Sequence, residues 1–157
     1  MHAPVRIWLE VAHHPAFRVG GWAFVRRNDG EVSGTAGGER RIDPERTALA
    51  ALAAALRDLP PGASVDLHAS SSQLLAIPAR ISAAEAGQDP PAENLDLWAQ
   101  VATALRGLDV RMSPAEVAPH SGSAFAAAWA DFACDRAKDK GAFTAAIPRS
   151  NLAKAGI

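Results

Sequence analysis

Residues 5–11 and 19–26 are apolar and rich in β-forming side chains, which predicts two strands separated by a loop carrying His13, His14 and Pro15. Asn28-Asp29-Gly30 lies between Val25 and Val32 as a hairpin signal, so a third, antiparallel strand is expected over 31–37. The period then changes. Leu49, Leu52, Leu56 and Leu59 recur every three to four residues, one apolar stripe of a helix running from Arg46 to Leu59. Asp43 suits its N-cap and Pro44 its first turn, and Pro60-Pro61-Gly62 ends it.

Val65 to His68 reads as a short fourth strand, and Ser70-Ser71-Ser72 caps a short helix that Pro78 ends or kinks. Residues 82–92 are expected to form a loop with two acids and no bases. From Asn94 to Leu108 a helix places Leu97, Val101, Ala104 and Leu105 on one face. Val110-Arg111-Met112 is the expected last strand and Gly122 to Lys138 the last long helix. This order calls for a five-stranded mixed sheet with flanking helices, an antiparallel meander of three strands extended by parallel strands through right-handed crossovers. The domain is expected over 1–140. Residues 141–157 form a tail, either a docking segment through Ile147 and Leu152 or a disordered end.

At 157 residues the chain suits one domain with a sizeable core. Much of its 48% hydrophobic content is alanine, so the core depends on few large side chains. The net charge of −1 argues against a domain that grips nucleic acid through phosphates alone. The single cysteine, Cys134, has no partner for an internal disulfide and is expected to be a buried thiol. No apolar run is long enough to span a bilayer, and the start of the chain lacks a signal-peptide pattern, so a cytoplasmic protein without a membrane partner is expected.

Several motifs occur in a telling order. Ile7-Trp8-Leu9-Glu10 is followed by Gly20-Gly21-Trp22, then Glu45-Arg46-Thr47-Ala48-Leu49, Ser71-Ser72-Gln73, Asn94-Leu95-Asp96-Leu97-Trp98, His120-Ser121-Gly122 and Ala130-Asp131. From near residue 4 to about residue 140 the series resembles type 1 ribonuclease H. The resemblance implies metal-assisted hydrolysis of the RNA strand of an RNA–DNA hybrid, with two Mg²⁺ ions roughly 4 Å apart held by four carboxylates. The four positions fall on Glu10, Ala48, Ser70 or Ser71, and Asp131, so two of the four are acids. His120 matches the loop histidine linked to product release or proton transfer.

The residues expected to carry any chemistry are therefore Glu10, Asp131 and His120, with Glu10 and Asp131 as metal ligands. At most one weakly held Mg²⁺ or Mn²⁺ is expected. Glu45 is weighed as a substitute ligand against a helix-dipole role, and His13, His14 and His120 as a transition-metal group. Arg26-Arg27 and Arg40-Arg41 are candidates for phosphate contact, while Trp8, Trp22, Trp98 and Trp129 are expected in the core. The preferred expectation is a ribonuclease H-like domain with a degraded active site, reused to bind a protein or, weakly, an RNA–DNA hybrid or other nucleic acid. The alternative is an active ribonuclease H with unusual ligands.

Overall fold

The computed structural model describes residues 3–157; Met1 and His2, the start of the expected domain, lie outside the described residues. Strands β1 (Val5–His14), β2 (Val19–Asn28) and β3 (Glu31–Arg40) form the expected meander. Helix α1 (Pro44–Ala55) leads to β4 (Ser64–Ala69), and α2 (Ser72–Glu85) and α3 (Leu95–Arg106) lead to β5 (Asp109–Pro114). Helix α4 (Gly122–Lys140), strand β6 (Phe143–Ala146) and a helical turn α5 (Arg149–Leu152) follow. The strand order is β5-β4-β1-β2-β3-β6, with β4 and β5 parallel to β1 and the other pairings antiparallel.

Two layers of helix enclose the sheet. Helices α1, α2 and α3 lie over a core of Ile7, Leu9, Leu49, Leu52, Leu67, Leu74 and Trp98. Helix α4 crosses β1, β2 and β3 on the other face, over Ala23, Val25 and Ala36.

The sheet has six strands where the sequence predicts five, and the sixth comes from the tail. β6 hydrogen-bonds to the outer edge of β3, and beyond it Ile147, Leu152 and Ala155 are buried against β2, β3 and α4. The tail thus docks on the body rather than ending in disorder. Three other expectations shift. His13 and His14 belong to β1 rather than to a loop. Helix α2 runs through Pro78 to Glu85, because Leu74, Ile77 and Ile81 pack inward on both sides of the proline, and the expected loop loses residues 82–85 to it. Helix α1 stops at Ala55, short of Leu59.

Asp43 caps α1 as expected, its carboxylate accepting the Arg46 N–H at 2.6 Å. Among the four tryptophans, Trp22 and Trp98 are buried, and Trp8 and Trp129 are half-buried against the smaller core.

Candidate functional site

Glu10 sits in the middle of β1, 3% exposed, opposite Ala23 of β2. It shares its side of the strand with Trp8 and Ala12, which belong to the core under α4. On its other flank β4 ends, and the chain turns into α2 through Ser70 and Ser71. Ser70 donates twice to Glu10, from its backbone N–H to Oε1 at 3.1 Å and from its hydroxyl to Oε2 at 2.6 Å. One residue thereby engages both oxygens of the carboxylate. Burial pushes the Glu10 carboxyl above its ordinary range, and the two Ser70 hydrogen bonds pull against that shift. Ser71 faces away and caps α2, accepting the Leu74 N–H at 3.2 Å.

Ala48 is buried in α1 beside a void of about 50 Å³, lined also by Glu45, Gln73, Arg80 and Trp98. It offers no ligand atom. Glu45, the weighed substitute, is already engaged. Its Oε1 accepts from Arg80 at 2.7 Å and its Oε2 from the Asn94 amide at 2.9 Å. Arg46 clamps both Asp96 oxygens at 3.0 Å, and that hydrogen bonding holds the Asp96 carboxyl below its ordinary value.

The Asn94–Trp98 motif therefore has a structural reason to exist. Asn94 adopts a left-handed conformation before α3 and bridges to Glu45, Asp96 grips Arg46, and Trp98 is buried beneath the Arg80 guanidinium at 4.8 Å. Spacing alone carries no signal for this network, because its partners lie nearly fifty residues apart in sequence.

Asp131 lies on the exposed side of α4, between buried Ala130 and exposed Phe132, with no hydrogen bond or ion pair among the described residues. His120 is exposed in a left-handed turn just before Ser121, the N-cap of α4. The tail braces this turn, since a Cβ on Gly156 would fall 2.4 Å from the His120 carbonyl oxygen. A Cβ on Gly122 would meet both the Trp8 ring at 2.8 Å and Ile157 at 2.9 Å, so the chain end, α4 and β1 close together there.

The histidine group weighed as a transition-metal site does not assemble. His13 Nε2 pairs with the Ile42 carbonyl at 2.8 Å, and His14 lies 3.5 Å from Asp135. Among the described residues, no three His, Cys, Asp or Glu side chains gather as metal ligands.

The arginine pairs are also divided. Arg40 donates to the Ala137 and Lys138 carbonyls and so caps the C-terminus of α4, while Arg26 donates to the Arg57 carbonyl at 3.1 Å. That leaves Arg27 and Arg41 of the four without such a role. Cys134 is buried as expected, and burial raises its thiol. No helix among the described residues is long and apolar enough to cross a membrane.

Neither a family model nor a curated protein matches the chain. Solved structures do. LC9-RNase H1, described as a type 1 RNase H with the type 2 active-site motif, superposes with a TM-score of 0.65 at 15% identity, over 99% of this chain and 86% of that one. The N-terminal RNase H domain of a Mycobacterium tuberculosis protein, solved as a fusion with maltose-binding protein, gives a TM-score of 0.64 at 16% identity, over 87% of this chain and 96% of that one.

The fold is ribonuclease H-like. At such identities the likeness shows the fold alone, and the chemistry has to be read from this chain's own residues. Those residues do not fit two adjacent dications, because Ala48 supplies no donor, Ser70 supplies a neutral one, and Glu10 is already bonded through both oxygens.

Proposed function

We propose that this RNase H-like domain does not cleave RNA–DNA hybrids and serves as a binding module. The observation that carries the reading is the Glu10–Ser70 clasp. Two facing carboxylates at these positions would repel one another without a cation between them. A glutamate facing a serine has no such repulsion to relieve, and the hydroxyl and the amide N–H give each of its oxygens a donor. The buried Ala48 and the engaged Glu45 support the same conclusion. Any ion that binds is held weakly, through Glu10 or Asp131.

For the partner, a net charge of −1 and the commitment of Arg26 and Arg40 to backbone carbonyls favour a protein over a hybrid duplex. Affinity for duplex scales with the phosphates neutralised, so hybrid binding is weak and disappears as salt rises. The rival reading is an active ribonuclease H using Glu10, Asp131, Glu45 and a water-bridged serine. Its support is the likeness to a type 1 RNase H that carries a different active-site motif.

One assay separates the two readings. Purified protein is incubated with labelled hybrid in Mg²⁺ or Mn²⁺ beside a Glu10→Ala control. Equal, background cleavage is expected. Metal-dependent cleavage that the control abolishes would overturn the proposal. The double variant Ala48→Glu with Ser70→Asp should bind Mn²⁺ more tightly than the parent in a calorimetric titration, since it restores two carboxylates beside Glu10.

A further inference from the structure

Helices α2 and α3 touch sparingly, and the chain passes between them in only nine residues, 86–94, which include Gly87 and the Pro90-Pro91 pair. The cleft left between the helices has a volume of about 340 Å³. Its walls are mostly apolar, with Ile81 and Ala84 from α2 and Trp98 and Ala102 from α3, and Arg80, Arg106 and Glu85 line it as well. That is the small end of the range for organic-ligand pockets, and the mix of apolar wall with a few polar groups is typical of them.

Two observations point to what would fill it. The first is an excess of donors. Arg106 makes a single 3.3 Å contact with Glu85 and a 3.5 Å contact with Thr103, both at the exposed edge. Arg80 gives one N–H to Glu45 and sets its guanidinium carbon 4.8 Å from the centre of the Trp98 ring. Each guanidinium carries five N–H donors, so several remain for a ligand. The second is the wall itself, where Trp98, Ile81 and Ala102 offer apolar surface beside those donors.

From these we infer that the α2–α3 cleft binds a small apolar carboxylic acid, its ring or branched chain against Trp98, Ile81 and Ala102 and its carboxylate at the Arg80 and Arg106 guanidiniums. An apolar body matches the walls, and a planar carboxylate matches a guanidinium bidentately. A cation would meet two guanidiniums, and a neutral apolar molecule would leave their spare donors unused. The Glu85 carboxylate is the one opposing charge on the lining, and its long contact with Arg106 leaves it free to swing outward.

The test follows indole N–H signals in ¹⁵N-labelled protein during titration with 1-naphthoate, and separately with neutral 1-naphthalenemethanol. Naphthoate should shift the Trp98 indole signal, leave those of Trp8, Trp22 and Trp129 in place, and saturate with a Kd on the order of 1 mM or below. The alcohol should bind at least several-fold more weakly. Arg106→Ala alters an exposed side chain and should weaken naphthoate about tenfold, the usual effect of losing a charge-assisted hydrogen bond. Ala102→Trp fills the cleft and should abolish the shift. Equal affinity for acid and alcohol, an unaffected Arg106→Ala protein, or no Trp98 response at ~10 mM naphthoate would each overturn the inference.

Discussion

On the side of the sheet that carries α1, α2 and α3, space is filled by large aliphatic side chains. On the side that carries α4, space is removed by bringing backbones together. The first face buries Ile7, Leu9, Leu49, Leu52, Leu67, Leu74 and Ile77 completely or nearly so. The second presents Ala23 and Ala36 to Ala126, Ala130, Ala133 and Ala137, with Gly21 and Gly38 where the helix comes closest. A Cβ on Gly21 would sit 2.4 Å from the Cys134 nitrogen and 2.6 Å from the Ala130 oxygen. An alanine-rich chain can thus form two cores by different means, large side chains throughout on the aliphatic side and, on the other, close backbone approach completed by Ile147 and Leu152 of the tail. The positions at which the motif order predicts metal ligands straddle the divide, with Ala48 absorbed into the aliphatic side and Glu10 turned toward the close-packed one.

The tail completes the close-packed side, so removing it should have the largest effect. A chain ending at Gly141 loses β6 and the buried Ile147, Leu152 and Ala155, and uncovers Val25 and Ala36. At roughly 1.5–3 kcal/mol for each large side chain, a loss of about 5 kcal/mol is expected. Denaturant unfolding measures it, and an unchanged midpoint would mean that α4 alone seals that face. Leu52→Ala on the aliphatic side should cost about 3 kcal/mol through the cavity it leaves. Gly21→Ala, which adds one carbon on the other side, should cost about 2 kcal/mol through overpacking against backbone that has no rotamer to change. Gly107→Ala is the control, since its Cβ would meet nothing closer than 3.7 Å. If Gly21→Ala behaves like the control, the two faces do not differ in the way described.

The same contrast explains what the sequence reveals and what it hides. The aliphatic face is legible, because Leu49, Leu52 and Leu56 repeat at helical spacing and Asp43-Pro44 marks the start. The meander is legible from Asn28-Asp29-Gly30, and the fold as a whole from the order of its motifs. The close-packed face leaves little periodic signal, since alanine and glycine suit many environments. β6 is four residues long and becomes a strand only through its pairing with β3. Pro78 looks like a stop, yet α2 packs through it. At the site, the positions of Glu10 and Ala48 are legible from the motif order. The Ser70 hydrogen bonds to Glu10 are not, because they join residues sixty apart whose meeting depends on the parallel pairing of β1 with β4.

The smallest expected effect is also the one that bears most on function. Burial holds the Glu10 carboxyl above its ordinary value of 4.5, so between that value and its folded value the native state keeps a proton that the unfolded chain has released. Stability from this group is therefore fully present below pH 4.5 and is lost as pH rises through the folded value. Above pH 4.5 the buried group is therefore a net cost relative to the unfolded chain, which the Ser70 hydrogen bonds reduce. Glu10→Gln keeps the shape, still accepts the Ser70 N–H, and does not titrate. The variant should therefore be slightly more stable than the parent near pH ~7.5, with the advantage fading as pH falls toward the ordinary carboxyl range. Unfolding midpoints for both proteins across that interval check the sign. A parent more stable than the variant at neutral pH, and more so when Mg²⁺ is added, would mean that Glu10 keeps its charge for a cation. The rival reading as an active ribonuclease H would then take first place.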